Sequence, residues 1–389
     1  MKQRRFNWVI SDVVRKGLQL YLEWSARLRG KRFYCSALAG ESEYNITVNC
    51  DLTVSCNCQD YNGSGHMGDL NKNSFQEVFF GPKAQHLRTE LAKGKLPIVT
   101  CARCGDLKTV CKSQVKVMKP MVTSVLETKG NGTPSPNGSR LDHPEELPEQ
   151  LFAGPEPRLP YRGMLLENTV RCNIDCIGCD RQSAARIRTT LQMDLAKLSR
   201  MADLVSELGL QQLFYLNLGE PFLSPNIGQE LPLLRKKNPD CRIVISTNGI
   251  ILNNDMKREA ALSASHLLFS IAGTSDPMLK KYEHHGSFEK AYANMKALVQ
   301  FRNARGLSQP LIEWKYLLFN WNDRRHMIER AIEMAKEAGV DAISFWPTNN
   351  PFYGYSYRYR LGFLNHVGVK NWKGREVDLR SPRPQLIAA

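Results

Sequence analysis

The stretch Cys172-Asn173-Ile174-Asp175-Cys176-Ile177-Gly178-Cys179 sets three thiols in the spacing CxxxCxxC. It follows directly on Gly163 to Val170, an apolar run with strand character. Four-iron clusters are held by cysteine thiolates, ordinarily four of them. A loop that offers only three leaves one iron open to something other than protein. A structural zinc site would close with a fourth Cys or His nearby. The residues that follow, Asp180 to Ala185, offer neither, and the next cysteine, Cys241, falls in a different predicted strand. The spacing therefore favours a cluster over zinc and over three unrelated core cysteines.

Outward from this loop, strand-like and helix-like stretches alternate across residues 161–350. Strands are read at 163–170, 212–218, 242–247, 266–271, 311–319 and 342–346. Helices fill the gaps, among them Asp194 to Leu208, Ser287 to Arg305 and Arg324 to Ala338. In the second of these, Phe288, Ala291, Met295, Leu298 and Phe301 recur at helical spacing. The alternation predicts an α/β fold, a partial (βα)6 parallel barrel. Such barrels carry their chemistry at the C-terminal ends of the strands, where the cysteine loop falls.

The cysteine run resembles the cluster motif of the radical SAM enzymes, and the resemblance extends from Tyr161 to about Pro347. It implies a [4Fe–4S] cluster on Cys172, Cys176 and Cys179, with an open iron that chelates the amino and carboxylate groups of S-adenosylmethionine. An electron from the cluster then cleaves the sulfonium to a 5′-deoxyadenosyl radical. Leu218-Gly219-Glu220-Pro221 after the second strand looks like the family's GGEP-type motif, with Leu for the first Gly. By that likeness Gly219, Glu220 and Pro221 lie against the amino group of the cofactor, where a carboxylate near an ammonium is physically sensible. Ser246 and Asn248, in Ser246-Thr-Asn-Gly249, and Ser270, in Ser270-Ile-Ala-Gly273, are implied cofactor contacts at the next two strand ends. Tyr282 to Phe288 is read as the opening of a helix. One further departure matters: before the last cluster cysteine an aromatic is usual, and here stands Gly178. The adenine contact must then come from elsewhere.

Glu313 and Lys315 share one face of the fifth strand. An internal ion pair and an active-site role are the two expectations for them, since a buried charge needs a partner. No G-x-G-x-x-G follows a strand, so a dinucleotide site has no support.

Residues 31–112 are cysteine-rich and predict a small α+β module ahead of the barrel. Residues 35–104 resemble the SPASM or twitch modules that usually follow a radical SAM core. Carried over by position, Cys35, Cys56, Cys101 and Cys104 would hold a second [4Fe–4S] cluster. Cys58 could replace Cys56, and Cys111 could join if the closing motif is CxxCx6C. Zinc on Cys56-Asn-Cys58 and Cys101-Ala-Arg-Cys104 is the alternative, since both metals take thiolates. Cys50, Cys58, Cys111 and Cys241 are further thiols that could return a hydrogen atom to substrate, or be inert core.

The chain of 389 residues carries a formal net charge of +15. Residues 1–34 hold nine Lys/Arg against Asp12 and Glu23, a net +7. Within residues 1–30, Ile10, Val14, Gly17, Tyr21, Trp24 and Leu28 recur at helical spacing. Packing of that stripe on its own domain is the expectation, and peripheral contact with an anionic membrane is the alternative. Residues 113–160, turn-forming at Gly130 to Ser139, read as a linker. Residues 351–389 read as an extension: aromatic, basic Phe352 to Arg360 could line a substrate channel or stack on a base or sugar ring, its alternate tyrosines also suit a half-buried strand, and the tail after Trp372 reads as mobile. No 18-residue apolar run and no signal peptide stand out, and grouped cysteines suit a reducing compartment, so a cytoplasmic enzyme is expected. The first expectation is an oxidoreductase or isomerase acting on a polar, anionic small molecule, glycan or peptide, served by a flavodoxin or ferredoxin. A peptide maturase and a zinc or iron–sulfur nucleic-acid binder are the alternatives, the last without any recognised nucleic-acid motif.

Overall fold

The computed structural model describes residues 2–44, 46–56, 60, 62–118, 150–154, 162–348, 350–364, 376–378 and 386–387. The chain divides into two compact units. One comprises Asp12–Val48 and Leu52–Arg162, and the other Met1–Ser11, Asn49–Asp51 and Gly163–Ala389.

In the first unit, helix α1 (Lys2–Leu28, here from Asp12 on) leads into β1 (Lys31–Cys35). β2 (Thr47–Val48), β3 (Thr53–Ser55) and β4 (His66–Asp69) form an antiparallel meander. Helix α2 (Phe75–Phe79) starts on a capping box in which Ser74 and Glu77 each satisfy the other's backbone N–H. Helix α3 (Pro82–Lys93) has Pro at its first position and stops at Gly94, whose φ of +87° is left-handed. β1 pairs antiparallel with β5 (Leu107–Cys111), setting Cys35 opposite Leu107 and Lys31 opposite Cys111. The core between these elements is Ala26, Phe33, Leu91 and Leu96, with Leu22, Cys35, Cys101 and Leu107 against it. β6 (Val115–Met118) and β7 (Gln150–Ala153) pair antiparallel. The ends of the expected linker are thus strands, and residues 119–149 and 155–161 lie outside the described residues.

The second unit is α/β. β8 (Gly163–Leu166), β10 (Gln212–Tyr215), β11 (Arg242–Thr247), β12 (His266–Ser270), β14 (Leu311–Leu318) and β15 (Ala342–Pro347) run parallel and neighbour one another in chain order. Short β9 (Asp175–Cys176) and β13 (Glu283–His284) pair outside this sheet. Crossovers run through α4 (Leu195–Glu207), α5 (Ile227–Lys237), α6 (Asp255–Ala261), α7 (Phe288–Asn303) and α8 (Arg325–Ala338). β11 reads Arg-Ile-Val-Ile-Ser-Thr, rich in β-branched residues, as suits a strand covered on both faces. Helix α8 buries Ile328, Ala331, Ala335 and Ala338 and ends at left-handed Gly339.

The expected strands 163–170 and 212–218 overrun. Beyond Leu166 and Tyr215 the chain leaves the ladder for a buried polar network. There Glu167 accepts from Arg188 (3.2 Å) and Asn217 (2.8 Å), and Arg188 donates to Asn49 (2.7 Å). Tyr282 to Gly286 does not open the helix: Glu283–His284 is strand β13, and α7 begins after Ser287, whose side chain caps it. The C-terminal extension also differs from expectation. Phe352–Gly354 is a 3-10 turn and Tyr357–Arg360 a helical turn, held by Asp323, which accepts from Ser356 (2.6 Å) and Arg358 (2.5 Å). β16 (Glu376–Asp378) and β17 (Leu386–Ile387) then add antiparallel to the edge at β15. No helix among the described residues is long and apolar enough to cross a membrane.

Candidate functional site

In the second unit the loop after β8 carries Cys172, Cys176 and Cys179, and four later strand ends reach it. From the loop after β10, the Glu220 N–H donates to the Arg171 carbonyl at 2.8 Å. From the end of β11, Asn248 Nδ2 donates to Asn173 Oδ1 at 2.9 Å and lies 3.8 Å from Cys172 Sγ. After β12, strand β13 pairs with β9 so that Glu283 faces Cys176, and the Ile177 N–H donates to the Tyr282 carbonyl at 3.0 Å. After β15, Asn350 Nδ2 donates to the Gly178 carbonyl at 2.7 Å. Within the loop, Arg181 braces Asp175 at 2.8 Å.

Two glycines of this site are fixed by close backbone approach. A Cβ on Gly178 would stand 2.7 Å from the Asn350 carbonyl oxygen, so the loop after β15 occupies the space an aromatic there would need. A Cβ on Gly219 would stand 1.9 Å from the Thr169 carbonyl oxygen, well inside contact. Two backbones meet at that point, and only glycine admits the approach.

Glu220 is buried and turned inward. It accepts from Thr247 Oγ1 (2.7 Å), the Asn248 N–H (2.7 Å) and the Phe222 N–H (3.1 Å). Burial pushes its carboxyl up to about 7 against the pull of those donors. Its part is therefore to staple the Gly219-Glu220-Pro221 turn to the end of β11. What the turn leaves available is backbone, and Pro221 itself is buried with its carbonyl accepting from Asn168. Ser246 and Ser270 are half-buried near the C-terminal ends of β11 and β12, and Ser270 stands in register with Lys315 of β14.

Glu313 and Lys315 do not pair with one another as the first expectation had it. Glu313 Oε2 meets His266 Nε2 at 2.8 Å, and its other oxygen accepts from Ser344, which accepts from Trp346 Nε1 at 2.7 Å. Arg242 Nη2 stands 3.0 Å from His266 Nδ1. A guanidinium only donates, so Nδ1 accepts and Nε2 carries the proton given to Glu313. Both Glu313 oxygens are thus taken by protein. The Lys315 ammonium lies over the Trp346 ring, 4.6 Å from its centroid.

The cysteine set itself fits a cationic cluster. Burial pushes the Cys172 thiol up to about 11 and Cys179 up, and raises Cys176 well above its ordinary value, with Glu283 and the other two sulfurs raising it further. Three converging thiols whose anions the fold disfavours suit completion by iron, whose charge reverses that balance.

In the first unit, Cys35, Cys56, Cys101 and Cys104 line one cavity, closed by Leu38, Leu87, Leu91, Pro97, Ile98 and Leu107. Burial pushes Cys35 and Cys101 up to about 12 each. Gly65 is forced by Cys56, whose Sγ would stand 2.7 Å from a Cβ there. Buried Arg88 donates to the Leu38 carbonyl through Nε (3.2 Å) and Nη2 (2.9 Å) and to the Phe79 carbonyl (2.9 Å), its guanidinium 4.9 Å from the Phe79 ring centroid. It fixes the turn whose Ala37 and Leu38 N–H groups point at the Cys35 sulfur, and it lines a second recess beside Cys35. Sequence reasoning missed Arg88, as it missed Tyr282, Glu283 and Asn350, because nothing local marks them. Among the described residues no three Cys, His, Asp or Glu side chains gather tightly enough for one bare ion. A cubane presents its irons at separate corners, so its ligands stand further apart than those of a single zinc.

The spare thiols fall elsewhere. Cys111 is exposed and opposite Lys31, four residues along the ladder from the Leu107–Cys35 pair, or about 13 Å at 3.3 Å per residue, and does not join the cavity. Cys50 donates to the Thr190 carbonyl at 3.2 Å. Cys241 is buried just before β11, at the N-terminal edge of the sheet, away from the cysteine loop. Cys58 lies outside the described residues.

The radical SAM superfamily model matches residues 166–305. The model for SPASM, an iron–sulfur cluster-binding domain, matches residues 35–105, ahead of the radical SAM domain. No curated protein matches the sequence. Among solved structures, BtrN in complex with AdoMet and 2-DOIA is 20% identical over 28% of this chain and 45% of its own, with a TM-score of 0.24. Native anSMEcpe with bound AdoMet is 15% identical over 52% and 62%, with a TM-score of 0.37. The radical S-adenosylmethionine methyltransferase TsrM from Kitasatospora setae, solved with tryptophan substrate and aza-SAM, is 15% identical over 48% and 35%, with a TM-score of 0.38. The chain spans less than two thirds of the length of each. Likenesses this low say nothing of what this chain acts on.

Proposed function

We propose, from the premise that this chain is a radical SAM protein whose SPASM domain precedes its core, that it abstracts a hydrogen atom from a polar, anionic substrate in an oxidation or epimerisation. The observation that carries the reading is the cysteine loop at the C-terminal edge of the sheet, braced by four other strand ends. The chemistry supplied there by a bound [4Fe–4S] cluster with S-adenosylmethionine is reductive cleavage of the sulfonium to a 5′-deoxyadenosyl radical.

The chain's own part is positioning. Cys172, Cys176 and Cys179 would hold the cluster, three thiols that leave a position for S-adenosylmethionine. The Leu218–Gly219 backbone, kept in place by the Glu220 staple, faces the amino group of the cofactor. Ser246, Asn248 and Ser270 add polar contacts at the next strand ends. Lys315, oriented by Trp346, meets an anionic group on the substrate, while Glu313 serves to fix Trp346 through Ser344. Cys35, Cys56, Cys101 and Cys104 hold the second cluster, which suits a reaction that must dispose of an electron. A flavodoxin or ferredoxin supplies the reducing electron.

Dithionite-reduced protein, reconstituted without oxygen, is expected to turn S-adenosylmethionine into 5′-deoxyadenosine. Absence of that product from protein with a full iron complement would end the reading. Arg88→Gln is expected to lower the second cluster's midpoint potential by on the order of tens of millivolts, since a buried positive charge is lost beside Cys35. Electron paramagnetic resonance during a redox titration measures it, and Arg88→Lys should restore part of the shift.

A further inference from the structure

Among the described side chains of helix α1, one face packs inward and the opposite face is exposed. Gln19 Nε2 donates to the Leu96 carbonyl at 2.8 Å, and Glu23 Oε1 accepts from the Leu96 N–H at 2.8 Å. With Arg15, Leu22 and Ala26, these residues form the face set against the first unit's core. At about 100° per residue, Val13, Gly17, Leu20, Tyr21, Trp24 and Leu28 fall on the opposite face. That face is apolar and open: Leu20 is 68% exposed, Trp24 61% and Leu28 66%. The sequence expectation that the stripe Ile10, Val14, Gly17, Tyr21, Trp24 and Leu28 packs on its own domain is overturned at Val14, Tyr21, Trp24 and Leu28, which are exposed, while the Ile10 side chain lies outside the described residues.

We infer that this face seats on an anionic phospholipid surface. Large apolar side chains in a continuous exposed stripe need a cover. The charge at its borders says which. Lys16 and Arg27 line one border of the stripe, and Arg29, Lys31 and Arg32 follow the helix. Of the two acids in residues 1–34, Glu23 is turned away onto Leu96. A helix with aromatic and leucyl residues on one side and Lys/Arg beside them lies in the headgroup plane, its apolar side dipped into the acyl boundary. Tyr21 and Trp24, with ring centroids 6.5 Å apart, are the residue types that settle at that boundary. Basic residues next to them meet anionic headgroups, which gives the contact its salt dependence. The inference is independent of the reaction proposed above, because it uses no residue of either cysteine site.

Flotation of the full-length reconstituted protein with vesicles tests it. The chain is expected to float with phosphatidylcholine–phosphatidylglycerol vesicles, to stay behind with phosphatidylcholine alone, and to release as salt rises. Leu20→Ser with Trp24→Ser should weaken partition at least about tenfold, since two large apolar groups lose their burial. Lys16→Glu with Arg27→Glu should abolish the preference for anionic lipid. Equal iron content and melting temperature in both variants certify that the fold is intact. Failure to float with anionic vesicles overturns the inference, as does flotation that both variants leave unchanged. A dimer in solution that the Leu20/Trp24 variant dissolves, without vesicle binding, would overturn it in favour of a protein partner.

Discussion

Replacing Cys172, Cys176 and Cys179 together by alanine is expected to lower iron and acid-labile sulfide from about eight per chain to about four, and 5′-deoxyadenosine to the enzyme-free background. The size of the effect follows from the two sets of cysteines belonging to different units. The four remaining proposed ligands, Cys35, Cys56, Cys101 and Cys104, line a cavity within the other unit. They share no side chain with the loop that is changed. The fold should tolerate the substitution, because each removed thiol is a group whose anion the site disfavours without metal. Iron falling to zero would mean that the first unit does not hold a cluster of its own. Iron staying at eight would mean that the three cysteines are not its ligands, and the proposed reaction would fall with them.

Gly219→Val should be nearly as damaging, and by a different route. The added Cβ starts 1.9 Å from the Thr169 carbonyl oxygen, and both atoms are fixed by backbone. Thr169 cannot yield, since its N-terminal neighbour Asn168 is buried and tied to Pro221 and Glu230. The turn must move instead, which breaks the Glu220–Arg171 bond and withdraws the three hydrogen bonds to the Glu220 carboxylate. Overpacking of this kind costs about 3 kcal/mol. A lower denaturation midpoint, together with weaker binding of S-adenosylmethionine by calorimetry, would register it. A variant of unchanged stability and affinity would show that the close approach is not required.

Much of the second unit could be read from periodicity. The strand expected at 242–247 is β11 to the residue, and the expected helix at 324–338 contains α8. These segments are buried by their own local pattern, so local pattern finds them. The misses have a common cause. Glu167, Asn168 and Asn217 leave their strands for polar partners up to 117 residues away in sequence, and strand propensity carries no record of that. Glu220 matches a motif whose resemblance points it at a ligand, yet its oxygens are taken by Thr247, Asn248 and Phe222. The stripe on α1 was legible as apolar, but periodicity does not say what covers a face. The cysteines were legible as candidate ligands because three or four thiols in fixed spacing have few other uses.

Asn350 has a bearing on the order of events during synthesis. It comes 172 positions after the Gly178 carbonyl it holds. At about 5 to 20 residues per second, a ribosome needs roughly 9 to 34 s to make the intervening chain. During that interval the cysteine loop exists without its last brace. Iron delivered early would meet three thiols on an open strand end, and iron delivered late would meet them in a finished socket. A cluster placed on the loop within that interval would be held without the Asn350 bond, and one placed later would be held with it.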